Sequence, residues 1–159
     1  DWLIVHGVHL PDDHGLRGTL VHNPRSNMNN SVGYARPRRF DLPIALGTDG
    51  IGADMLEEFR LAYVAARADD VTATPAQAGG WLQTGWDLMP AAIDDRVYWA
   101  VESTDPWHLA FTPGTSPLEV EVGGEVVWDG EPTLVDGDEI RARAAEAATK
   151  LHARLAALD

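Results

Sequence analysis

The sequence predicts an α/β chain built on parallel strands, followed by a smaller β-rich region and a closing helix. Two observations carry that prediction. Three short apolar runs, at 2–5, 18–22 and 44–46, are separated by loops, and a strong amphipathic helix follows the third. That is the rhythm of a parallel sheet or barrel. Beyond residue 96 the pattern changes to period-two alternation, the mark of a small β-sheet unit.

The elements follow in order. Trp2 to Val5 reads as the first strand, ending at His6-Gly7. Val8-His9-Leu10 continues to Pro11-Asp12-Asp13, which caps a short helix or loop through Leu16. Gly18 to His22 is the second strand, closed by Asn23-Pro24; residues 25–30 read as a polar loop and 33–39 as a basic connection. Ile44 to Leu46 is the third strand, and Gly47 ends its regular pairing. Asp49 then sits just past the strand's carboxyl end, where parallel α/β folds place their chemistry.

From Asp54 to Arg67, residues Met55, Leu56, Phe59, Ala62, Tyr63 and Ala66 recur at helical spacing. Acidic residues in the first turns and Arg67 near the end suit the helix dipole. Pro75 opens a weaker helix to about Leu82, interrupted by Gly79-Gly80, and 85–95 reads as irregular. Arg96 to Glu102, Leu118 to Val122 and Glu125 to Trp128 are strand-like, with Gly123-Gly124 signalling a hairpin. Asp138 caps a final helix to about Leu158, with Ile140, Ala144, Leu151, Leu155 and Leu158 along one stripe. The expected organisation is residues 1–95 and residues 96–159. Three parallel strands are too few to close a barrel alone.

Composition narrows the function. The 159 residues carry a formal net charge of −13, which argues against a nucleic-acid or anionic-membrane partner. There are no cysteines, so disulfides, thiolate nucleophiles and Cys-ligated zinc are excluded. No apolar run is long enough to span a bilayer and no signal peptide is visible, so a cytoplasmic location is expected. The chain opens inside a buried-strand pattern, with no initiator Met or preceding turn, and is expected to be the later part of something longer.

His6 and His22 each end a strand and Asp49 ends the third, so the three should converge on one rim. A His/His/Asp rim suits a divalent metal with an activated water; the alternative is that each His merely hydrogen-bonds in the sheet. His9, His14, His108 and His152 show no such placement. The polar string 21–29 could satisfy a heteroaromatic ring's nitrogens, or Ser26 and Asn27 could simply cap loop backbone. A Ser26–His22–Asp49 hydrolase lacks the Gly-x-Ser-x-Gly turn. No Gly-Lys-Ser/Thr follows Gly47, which removes a phosphate-loop reading.

"HGVHL", "VHNPRSNMNNSVGYA" and "LGTDGIGADMLEEFRLAYVAAR", in that order, resemble the amidohydrolase superfamily, nearest its cytosine-deaminase/triazine-hydrolase branch and the SsnA-like aminohydrolase group. "DPWHLAFTPG" and "VEVGGEVVWDG" resemble the group's C-terminal end more loosely. The resemblance implies the C-terminal portion of a metal-dependent (β/α)8 TIM barrel, with part of a small β-sandwich and a C-terminal helix. It implies His6 as a catalytic residue that polarises the substrate. Asp49 would be a metal ligand that also takes a proton from the attacking water. It places His22, Ser26 and Asn27 at the substrate, with zinc the first metal and iron the alternative.

The expected substrate is a small aminated nitrogen heterocycle. The first-strand His-x-His pair, the fifth-strand His and the "G-x-ADLV" segment are absent. An N-terminal barrel segment, separate or missing, is therefore an expected partner, and a homo-oligomer is expected. The rival readings are a dechlorinating or dealkylaminating triazine-type hydrolase, and a non-catalytic barrel fragment serving as a binding or assembly partner.

Overall fold

The structure is a computed structural model, described for residues 2–89, 91 and 94–158. It divides into two units, one of residues 1–91 and 101–115, the other of 92–100 and 116–159.

In the first unit, β1 (Trp2–Val5), β2 (Gly18–His22) and β3 (Ile44–Leu46) form a parallel sheet in that order. Val5 stands opposite Val21, and His22 opposite Leu46. Residues 11–16 form no helix. The polar stretch expected to be a loop instead folds as α1 (Pro24–Asn29), with Pro24 at a first-turn position where its missing N–H costs nothing. The Arg25 guanidinium draws α1 onto the next helix by reaching Glu58 Oε1 at 2.7 Å, and the Arg25 backbone N–H adds a 3.2 Å bond to Oε2.

That next helix, α2 (Met55–Asp69), starts where Asp54 accepts from the backbone N–H groups of Leu56 and Glu57. Its buried stripe of Phe59, Ala62, Tyr63 and Ala66 packs with Leu46 and Trp81. Burying each large side chain of this set contributes about 1.5–3 kcal/mol.

α3 (Pro75–Asp87) is longer than the sequence suggests. A reciprocal Thr74–Gln77 capping box starts it. Gly79 does not break it; a Cβ there would meet Pro106 at 3.8 Å and Phe59 at 3.9 Å, ordinary van der Waals contact with a neighbouring helix and with α2. That neighbour is α4 (Pro106–Phe111), whose segment 101–115 the sequence groups with the later β region. Arg60 ties it to α2, donating to Leu109 O at 2.9 Å and to Thr112 O and Thr115 Oγ1 at 2.7 Å. Of the irregular stretch expected over 85–95, positions 90, 92 and 93 lie outside the described residues.

The second unit is an antiparallel sheet of β4 (Arg96–Trp99), β5 (Pro117–Val122) and β6 (Glu125–Trp128), followed by α5 (Gly137–Ala156). Gly123 and Gly124 have φ of +59° and +80°, the pair of positive values that a two-residue hairpin needs. Asp136, rather than Asp138, caps α5 by accepting from Glu139 N–H. No residue of α5 is buried.

Candidate functional site

The carboxyl ends of β1 and β3 carry two backbone outliers. His6 and Asp49 are non-glycine residues with φ of +67° and +54°. Such conformations cost about 1–3 kcal/mol and persist where the surroundings fix them. His6 N–H is held by Val21 O at 2.9 Å, and Gly50 N–H donates to Asp49 Oδ1 at 2.8 Å.

Held this way, the two side chains face each other, with His6 Nε2 3.7 Å from Asp49 Oδ2. The Ser26 hydroxyl donates to the same Oδ2 at 2.5 Å, and Asn30 Nδ2 supports Ser26 Oγ at 3.2 Å. The Ser26 hydrogen bond, then the Gly50 N–H and the nearby His6, hold the Asp49 carboxyl below its usual range. On the other side of the imidazole, Nδ1 lies 2.9 Å from Asn27 Oδ1 and 3.3 Å from Asn23 Nδ2. α1 makes this possible, because residues four apart share a helical face, bringing Asn23 with Asn27 and Ser26 with Asn30.

A cleft of about 480 Å³ opens here, bordered by His6, Ser26 and Asn27 with apolar Val8, Leu10 and Val32. Its mixture of a few convergent polar groups and apolar wall is that of a small-molecule site.

The expected three-residue rim is corrected to two. His22 pairs in register with Leu46, and both face the layer of α2 and α3. Its ring packs edge-on to Tyr34 and Trp81, with centroids 5.8 and 6.3 Å away, and has no exposed surface. Neither nitrogen has a hydrogen-bond partner among the described residues. Burial, with the nearby His6 adding, pushes its pKa down to about 4. The ring does not border this cleft, and Ser26 reaches Asp49 directly, with no imidazole between them. Asn23 and Asn30 are the polar neighbours that the sequence reading missed. Strand alternation was the available signal for Asn23, since it shares its side of β2 with Val21 and not with His22. Gly47 opposite it is a second signal, because a Cβ there would collide with the Asn23 side-chain oxygen.

Among the described residues, no group of three or more His, Asp or Glu side chains could hold a metal ion. Nor is any helix among them long and apolar enough to cross a membrane.

No family model matches the chain. It is 30% identical over 79 residues to a 5-methylthioadenosine/S-adenosylhomocysteine deaminase of Shouchella clausii, a match covering 42% of this chain and 18% of that protein. Its structure resembles a zinc-bound adenosine deaminase from Xanthomonas campestris with a TM-score of 0.65 and 20% identity, over 95% of this chain and 42% of that one. The chain thus spans less than half the length of either relative. The fold is an α/β fold like that of this solved deaminase, and the first unit contains an open three-stranded parallel sheet.

Proposed function

We propose that this chain supplies part of the active site of a metal-dependent amidohydrolase that deaminates an aminated nitrogen heterocycle, of purine, pyrimidine or triazine type. The observation that carries it is the His6–Asp49–Ser26 arrangement at the carboxyl ends of parallel strands, beside a cleft of ligand size. The partial likeness to two deaminases supports the same reading.

Asp49 fits a divalent metal, zinc or iron, as one oxygen ligand: its carboxylate is two-fifths exposed, and each oxygen keeps lone-pair capacity beyond its one hydrogen bond. Among the described residues His6 is the one nitrogen donor near it, so the remaining ligands would come from a complementary segment. Such a metal, when bound, supplies a water acidic enough to ionise near neutral pH. The Asp49 carboxylate would accept a proton from the attacking water. His6 Nε2 hydrogen-bonds the substrate's ring or the charge developing on it, and Ser26 keeps Asp49 ionised and aimed. The net change adds water at the ring carbon and releases ammonia.

We propose that the complementary segment pairs along β1, where Trp2, Leu3 and Val5 are 77%, 60% and 52% exposed. It could belong to the same polypeptide or to another, and homo-oligomerisation of the complete enzyme is part of this reading. A binding or assembly role without catalysis is the second reading, favoured by the incomplete donor set.

The test is ammonia release by the complete enzyme from adenosine, S-adenosylhomocysteine, cytosine and an aminotriazine, with chloride and alkylamine release measured from substituted triazines. One of these substrates should turn over, and Asp49→Asn should lower its rate by about 10²–10⁴-fold. Full activity in Asp49→Asn would contradict the proposal. A metal-free assembly that turns over nothing would favour the second reading.

A further inference from the structure

The chain bends sharply as it leaves β1. His6 and Gly7 have φ of +67° and +68°, and Gly7 lies so close to β2 that a Cβ there would collide with Leu20. A turn then closes on the Leu10 N–H, which donates to Gly7 O at 3.2 Å. Val8 and Leu10 of this loop form part of the apolar wall of the rim cleft.

Among the described residues, side-chain hydrogen bonds to residues 7–12 come from Arg39 alone. Its Nη2 donates to Leu10 O at 2.7 Å and to Gly7 O at 3.3 Å, and its Nη1 to the Asp12 carboxylate. The guanidinium has a footing of its own. Nε donates to Ala35 O at 3.2 Å, and the group lies 4.1 Å from the centre of the Phe40 ring. Ala35 and Phe40 are both buried. Arg39 does not border the cleft; it stands behind the wall.

We infer that Arg39 is a positioning residue, which holds the loop of residues 7–12 from behind and so fixes the apolar wall against which a substrate ring packs. Its part in catalysis rests on the function proposed above; its hold on the loop does not. A planar guanidinium sends its N–H groups in fixed directions, which suits several acceptors spread around it. The carbonyl bonds carry most of the hold, because the Asp12 side chain is 76% exposed and an exposed ion pair contributes little. Val8 and Leu10 offer a substrate only apolar contact, the same in the ground state and the transition state. Loosening that wall therefore raises KM and spares kcat. His6 keeps a separate tether, its N–H to Val21 O at 2.9 Å.

The test has two readouts in the complete enzyme: hydrogen exchange at the Leu10 amide, and KM and kcat with the substrate that turns over. Arg39→Met keeps an apolar stem against Phe40 and removes the fork. It should speed Leu10 exchange by about tenfold or more. It should also raise KM by about tenfold and leave kcat within about threefold. Asp12→Ala should change each quantity by less than about threefold. Unchanged Leu10 exchange in Arg39→Met, or a fall in kcat with KM unchanged, would overturn the inference. So would an Asp12→Ala effect as large as that of Arg39→Met. If Arg39→Met does not fold, Arg39→Lys decides by the same measures, since one ammonium cannot reach Ala35 O, Leu10 O and Asp12 together. Absence of turnover with every substrate would remove the proposed function and leave the exchange result standing; unchanged exchange in an active enzyme would do the converse.

Discussion

His6 and His22 end neighbouring parallel strands, yet one meets a polar rim and the other an aromatic interior. His6 is turned by a positive φ into reach of Asn27, Asn23 and Asp49. His22 keeps the strand's alternation and is delivered to the helix layer, against Tyr34 and Trp81. Residue type and position along the strand are nearly the same. The face decides which imidazole meets the polar rim.

The largest expected effect comes from breaking what holds the rim's helix in place. Glu58 is fully buried and Arg25 is its ion-pair partner. Arg25→Met leaves a buried carboxylate uncompensated and should destabilise the fold by about 3–5 kcal/mol in urea unfolding. A loss below about 1 kcal/mol, the range of exposed pairs, would show that α1 is held some other way.

The second effect tests the interior face through pH. His22 has a folded pKa near 4 against an ordinary 6.5, so protonation favours the unfolded chain. Its contribution is fully present above about pH 6.5 and is lost as pH falls toward 4, amounting to about 3 kcal/mol over that window. His22→Leu should flatten that part of the urea-midpoint profile while keeping stability at pH 7.5. The lowered Asp49 carboxyl acts in the same sense: its contribution is present above the ordinary carboxylate range and is lost below it. An unchanged slope in His22→Leu would mean that this ring is not the acid-sensitive group.

The smallest effect concerns neither histidine. Asp54→Ala removes the cap of α2 and should cost about 1 kcal/mol in urea unfolding, with the His6 imidazole spectrum unchanged. A changed spectrum would show that the start of α2 reaches the rim.

The same contrast explains what could be read from the sequence. The three parallel strands and α2 were legible, because apolar runs and a 3.6-residue stripe encode burial directly. Asp49 was legible from its place after a strand. α1 was not: Arg25-Ser26-Asn27-Met28-Asn29 has modest helix propensity, and the helix depends on Pro24 and on an ion pair 33 residues away. With α1 read as a loop, the pairing of Asn23 with Asn27 was invisible. His22 was misplaced because it was counted from the strand's end and not by its face. α3 was ended near Leu82 because Gly79-Gly80 lower its helix propensity, whereas the helix started by the Thr74–Gln77 capping box runs on to Asp87.

The most direct test of the central claim is zinc content in the complete enzyme, measured on three folded proteins: wild type, Asp49→Asn and His22→Leu. The rim account predicts that wild type and His22→Leu bind zinc equally and that Asp49→Asn loses most of it. Equal zinc in all three, or loss only in His22→Leu, would contradict it.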